Sequence, residues 1–156
     1  MQVRVQREDF DLSTEVAALR AGQGDVGAVV AFVGTVRDMN GGGAVSLMEL
    51  EHYPGMTEAA LRAIVKEACR RWQLCGIRVV HRIGSLRGCD QIVLAAVAAR
   101  HRGEAFAACE FVMDYLKTRA PFWKKETTQH GARWVEAREA DEVGLAKWNT
   151  GVSPCL

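Results

Sequence analysis

The chain has 156 residues, 49% of them apolar and 25% charged, the balance of a globular domain with enough length for a core. A net charge of +1 gives no electrostatic basis for coating nucleic acid or a membrane surface. Five cysteines, odd in number and without a C-x-x-C pair, and four scattered histidines argue against a disulfide framework and against a metal site, and they fit a reducing cytoplasm.

The opening Met-Gln-Val-Arg-Val-Gln-Arg lacks the apolar run of a signal peptide, and no apolar stretch reaches bilayer length. Val3 and Val5 alternate with polar neighbours as a half-exposed first strand. Ser13 is the expected N-cap of a short helix running to about Arg20. Ala28 to Val33 is almost continuously apolar and reads as a buried strand. Val45 to Glu51 alternates again and is expected to form a hairpin with it across Asn40-Gly41-Gly42-Gly43.

Thr57 is the expected N-cap of a helix with the clearest stripe in the chain: Leu61, Ile64, Val65, Ala68, Trp72. Strands follow at 77–83 and 91–99, separated by turn residues at 84–88. A helix over 104–119 carries the stripe Phe106, Cys109, Val112 or Met113, and Leu116. A last strand is expected at 133–137. One domain over 1–142 precedes a polar tail, 143–156, expected to lack its own fold and to be mobile. Strands and helices mixed in this order predict an α+β, two-layer fold with a mainly antiparallel sheet.

The most informative stretch is Met113 to Glu126. Pro121 lacks an amide proton and forces Ala120 out of the α region, so the helix stops near Arg119. Lys117 then sits on the last helical turn, with Lys124 and Lys125 beyond the break and Phe122 and Trp123 between. Cations at a helix C-terminus commonly just complement the macrodipole in water. Two large rings beside them instead imply a partly dry surface, where a lysine binds an anion or serves as base or nucleophile. Adjacent side chains in an extended segment point apart, so Lys124 and Lys125 are not both expected to face one pocket. Arg37 and Arg100-His101-Arg102 also follow apolar strands, which suggests a pocket for a small anion, phosphate above all. With no G-x-x-x-x-G-K-[ST] and no G-x-G-x-x-G, a nucleotide is disfavoured.

At these residues the chain resembles the large, catalytic subunits of molybdopterin synthase, the MoaE family. The matching segments are Phe32 to Arg37, Leu50 to Glu58, His81 to Gly84, Ala99 to Arg102, Met113 to Glu126 and Trp134 to Arg138. The resemblance implies a hammerhead-like α/β fold and a sulfurtransferase that converts cyclic pyranopterin monophosphate to molybdopterin. The sulfur would come from a thiocarboxylate on the C-terminal Gly-Gly of a small ubiquitin-like subunit, two of which join a homodimer as a heterotetramer. It implies no permanently bound cofactor, no metal, and no nucleic-acid or membrane partner.

By position, the resemblance makes Lys117 and Lys124 catalytic. It assigns the substrate to Thr35, Val36, Arg37, His101, Arg102, Lys125, Glu126 and Arg138, the last reaching a neighbouring protomer's pocket. Phe32, Met113, Phe122 and Trp123 are expected to wall the pocket. Two rival readings remain: a persulfide on Cys109 or Cys89, and a non-catalytic receptor for a ubiquitin-like tail.

Overall fold

The computed structural model describes residues 1–37, 39–40, 43–128, 131–135 and 144–148. The chain order is β1 (Gln2–Gln6), α1 (Leu12–Arg20), β2 (Ala28–Thr35), β3 (Met39–Asn40), β4 (Gly43–His52), α2 (Met56–Arg71), β5 (Leu74–Arg82), β6 (Gly84–Leu86), β7 (Gln91–Ala99), α3 (Arg102–Arg119), β8 (Phe122–Thr128) and β9 (Gly131–Val135). Two sheets result. The first has the order β1-β5-β7-β2; the second runs β3-β4-β8-β9, with β6 also paired to β4. Every pairing is antiparallel except β1 with β5. Mixed helices and mostly antiparallel strands agree with the α+β expectation.

Strand β7 is built of valines, alanines and a leucine because both of its faces are covered. Val93, Ala95 and Val97 meet Leu61, Ile64, Val65 and Ala68 of α2 and Ala108, Phe111 and Val112 of α3. The alternate residues Leu94, Ala96 and Ala98 pack with Leu19 of α1 and with Phe10 on the opposite face. The α2 stripe read from the sequence is thus the buried one. A third cluster, Val36, Met48, Leu50 and Leu86, lies where the second sheet meets the first. No helix among the described residues is long and apolar enough to cross a membrane.

Several expectations need correction. Strand β4 does not pair with β2; it joins β3, β6 and β8 in the second sheet. The segment after Pro121 is not a mere turn but β8, held between β4 and β9. Its sequence Phe-Trp-Lys-Lys-Glu-Thr-Thr lacks the clean apolar alternation that marks a strand, because its register comes from its neighbours.

Asp11, rather than Ser13, caps α1, with its carboxylate accepting from the Thr14 N–H at 2.6 Å. Gly55, at φ 82°, opens α2, and Glu58 reaches back to accept from the Gly55 N–H. Phe106 is 62% exposed. It borders a surface cleft with Val30, Ala31 and Phe32 of β2, the edge strand of the first sheet. Part of the segment read as an unfolded tail, 144–148, forms a helical turn. Leu145 is buried there, Trp148 stacks edge-on against Trp72 and Phe111, and its Nε1 donates to Asp114. The remainder of the 136–143 and 149–156 segments lies outside the described residues.

Candidate active site

A cavity of about 630 Å³ opens between the two sheets at the C-terminal end of α3. Three stretches distant in sequence supply its cations. The exit of β2 is the first. A register shift between Gly34 and Thr35 ends the regular ladder with β7. The chain beyond is pinned by Val36, whose N–H donates to Asp90 O and whose carbonyl accepts from Cys89 N–H, both at 2.9 Å. Val36 turns inward at 2% exposure, so by alternation Thr35 and Arg37 face the cavity. Val36 itself therefore does not line it. Gly34 fits because a Cβ there would stand 2.8 Å from the Val93 side chain.

The second stretch is the end of α3. Met113, Leu116, Lys117 and Ala120 line the cavity, one helical face at the expected spacing. Lys117 lies in the last turn, where the helix dipole favours a cation. The third is β8. Phe122 and Lys124 face in, while Trp123 and Lys125 point to the other side of the strand. Trp123 packs edge-on against Tyr53 at 4.5 Å, and Lys125 stands 5.7 Å over the Trp134 ring. Trp123 is thus not a cavity wall, whereas Phe32, Met113 and Phe122 are. Glu126 is 1% exposed and its carboxylate lies 3.2 Å from Lys124 Nζ. It anchors the lysine from beneath rather than lining the space.

The turn that returns β8 to α3 is locked by Thr57. Its hydroxyl donates to the Pro121 carbonyl at 3.0 Å and accepts from the Tyr53 N–H at 3.1 Å, and the residue is fully buried. The threonine read as a helix cap is therefore a long-range tie. Thr57→Val is expected to lower stability by about 1–3 kcal/mol, since the shape is kept and two part-buried backbone groups lose their partner. Urea denaturation checks this; an unchanged midpoint would mean that other contacts hold the turn.

His101 and Arg102 do not reach this cavity. Both are exposed at the N-terminal end of α3, and fifteen residues of helix separate Arg102 from Lys117, about 22 Å at the α-helical rise. Arg138 lies outside the described residues.

The sequence reading missed His81, which lines the cavity at the end of β5. It is 5% exposed and its ring stacks on Phe122 at 3.7 Å. Burial pushes its pKa down to about 4, against a hydrogen bond to the Arg82 carbonyl that works the other way. The signal was present in the alternation, which put a histidine on the same side as the core residue Val79.

Cys109 and Cys89 stand apart from this cavity. Cys109 is buried against the sheet, with its thiol pushed up to about 11 by desolvation, and Cys89 does not line the cavity. A thiol so protonated is a poor sulfur carrier. Cys109→Ala is expected to cost about 1 kcal/mol of stability through lost packing. Combined with Cys89→Ser it should leave turnover intact; an inactive but folded double variant would revive the persulfide route.

The match to known proteins covers most of the chain. The family model described as MoaE protein matches residues 5–119. The molybdopterin synthase catalytic subunit of Ralstonia nicotianae is 66% identical over 146 residues, 94% of this chain and 83% of that one. Among solved structures, the molybdopterin biosynthesis MoaE protein of Burkholderia ambifaria is 58% identical at a TM-score of 0.81, covering 96% of this chain and 99% of that one. A molybdopterin synthase structure from Staphylococcus aureus is 32% identical at a TM-score of 0.79, covering 85% and 95%. With its cavity formed by the same segments that carry the resemblance, this chain belongs to the MoaE family.

Proposed function

We propose that this chain is the catalytic subunit of a molybdopterin synthase. It converts cyclic pyranopterin monophosphate to molybdopterin with sulfur from the thiocarboxylated C-terminal Gly-Gly of a small ubiquitin-like subunit. The observation that carries this reading is the convergence of Arg37, Lys117 and Lys124 on one cavity with an apolar floor of Met48, Leu50, Ile92 and Phe122. Such a cavity suits a ligand that is anionic at one end and flat and partly apolar at the other. Arg37 and Thr35 hold the phosphate by charge-assisted and neutral hydrogen bonds. The thiocarboxylate sulfur attacks a side-chain carbon of the substrate and displaces an oxygen, which the ammonium groups of Lys117 and Lys124 neutralise and protonate. Water then hydrolyses the acyl–sulfur bond and returns the small subunit as a carboxylate, and a second thiocarboxylate supplies the second sulfur.

His101 and Arg102 serve the phosphate only in the cavity of a second copy, given their distance from Lys117. A homodimer is supported by the uncovered edge of β2, where Phe32 and Phe106 are 40% and 62% exposed. With one small subunit per cavity the assembly is a heterotetramer. The free thiols among the described residues fit a cytoplasmic setting. The test is to mix the chain with thiocarboxylated small subunit and the cyclic precursor. Molybdopterin is the expected product; its absence, with both partners shown to be intact, overturns the reading.

A further inference from the structure

We infer that His81 is a specificity-determining residue, whose Nε2 accepts a hydrogen bond from a ring N–H or amino group of the ligand while the ligand's anionic end meets Arg37, Lys117 and Lys124. The inference rests on the function proposed above, because a reduced pterin carries such donors.

The cavity has an imbalance that this residue corrects. Arg37, Lys117 and Lys124 can only donate hydrogen bonds, and Thr35 is the other polar side chain on the lining besides His81. A heterocycle with N–H groups buried against these cations would leave its donors unpaired, a cost paid in affinity. His81 adds a side-chain acceptor that, unlike the Thr35 hydroxyl, does not also serve the phosphate. Its Nδ1 lies 2.8 Å from the Arg82 carbonyl, an oxygen that can only accept, so Nδ1 carries the proton and Nε2 the lone pair. Nε2 has no hydrogen-bond partner among the described residues, although the residue is 95% buried by its 5% exposure and borders the cavity.

The surroundings keep it an acceptor. Burial disfavours the imidazolium, and the nearby His52 adds to that effect. The stack on Phe122, with planes only 15° apart, fixes the plane in which the lone pair points. Phe122 lies two residues before Lys124 on the same face of β8, so the acceptor and one cation share a rigid support. The two ends of the ligand are thereby read by groups held at a set separation.

Calorimetry of the cyclic precursor on wild-type protein and on His81→Phe tests this, since phenylalanine keeps a stacking ring and removes the acceptor. The expected result is a loss of about tenfold in precursor affinity, the effect of one unpaired donor, with the affinity for inorganic phosphate unchanged. Equal precursor affinity in the two proteins overturns the role of His81 and leaves the proposed function standing. Failure of the wild-type protein to bind precursor overturns both. Should His81→Phe not fold, the wild-type protein still decides. With 15N-labelled histidine, the His81 Nε2 resonance should move upfield on adding precursor and stay put on adding inorganic phosphate. A resonance unmoved by saturating precursor sinks the inference.

Discussion

Replacing Lys117 with alanine is expected to remove nearly all molybdopterin formation from a protein that still folds. The side chain is exposed to the cavity at the end of α3, and its loss takes nothing from the core. Alanine is the best helix former, so the last turn persists. What disappears, on the proposed mechanism, is the cation that neutralises negative charge developing on the departing oxygen. Loss of a group that supplies both a proton and a charge at that point costs about 10²–10⁴-fold, and more if the lysine also holds an intermediate covalently. Single-turnover formation of molybdopterin with saturating small subunit measures it, and circular dichroism confirms the fold. Substantial turnover in the folded variant would move the catalytic role elsewhere.

Lys124→Ala should be the second most damaging change, with a loss of about 10²–10³-fold, whereas Lys125→Ala should be nearly silent in the same assay. The two residues are neighbours of identical chemistry, so the comparison isolates geometry. Strand alternation turns Lys124 to the cavity and Lys125 towards Trp134. The Lys124 variant also deprives the buried Glu126 of an ion pair, so its denaturation midpoint should be recorded beside its rate. Equal losses for the two lysines would show that β8 does not keep this register in the working enzyme.

Local physics explains which parts of the fold were readable. The α2 stripe, the buried strand β7 and the stop at Pro121 each follow from a pattern complete within about fifteen residues of sequence. Strand β2, equally apolar and read as buried, instead lies half-exposed at the edge of its sheet, paired only with β7 among the described strands. Phe106 misled because periodicity shows which residues share a helix face but not where the opposing sheet ends. Thr57 misled because a hydroxyl near a helix start satisfies the capping rule whether or not its real partner, Pro121 O, lies sixty-four residues away.

The sequence by itself determined the chemistry on offer: a proline-stopped helix with Lys117 on its last turn, lysines of opposite facing just beyond, and Arg37 after an apolar strand. These follow from residue identity and backbone geometry over short range. Only the tertiary structure decided which of them meet. Residues 37, 81, 117 and 124 come together because β2, β5, α3 and β8 converge where two sheets join, an arrangement set by long-range strand pairing and by the Thr57 tie to Pro121. The same packing sends His101 and Arg102 to the far end of a rigid helix and turns Val36 and Trp123 away from the cavity. It also exposes one edge of His81 there while burying the rest, because a side chain's accessibility depends on every element packed around it, and no local pattern carries that information.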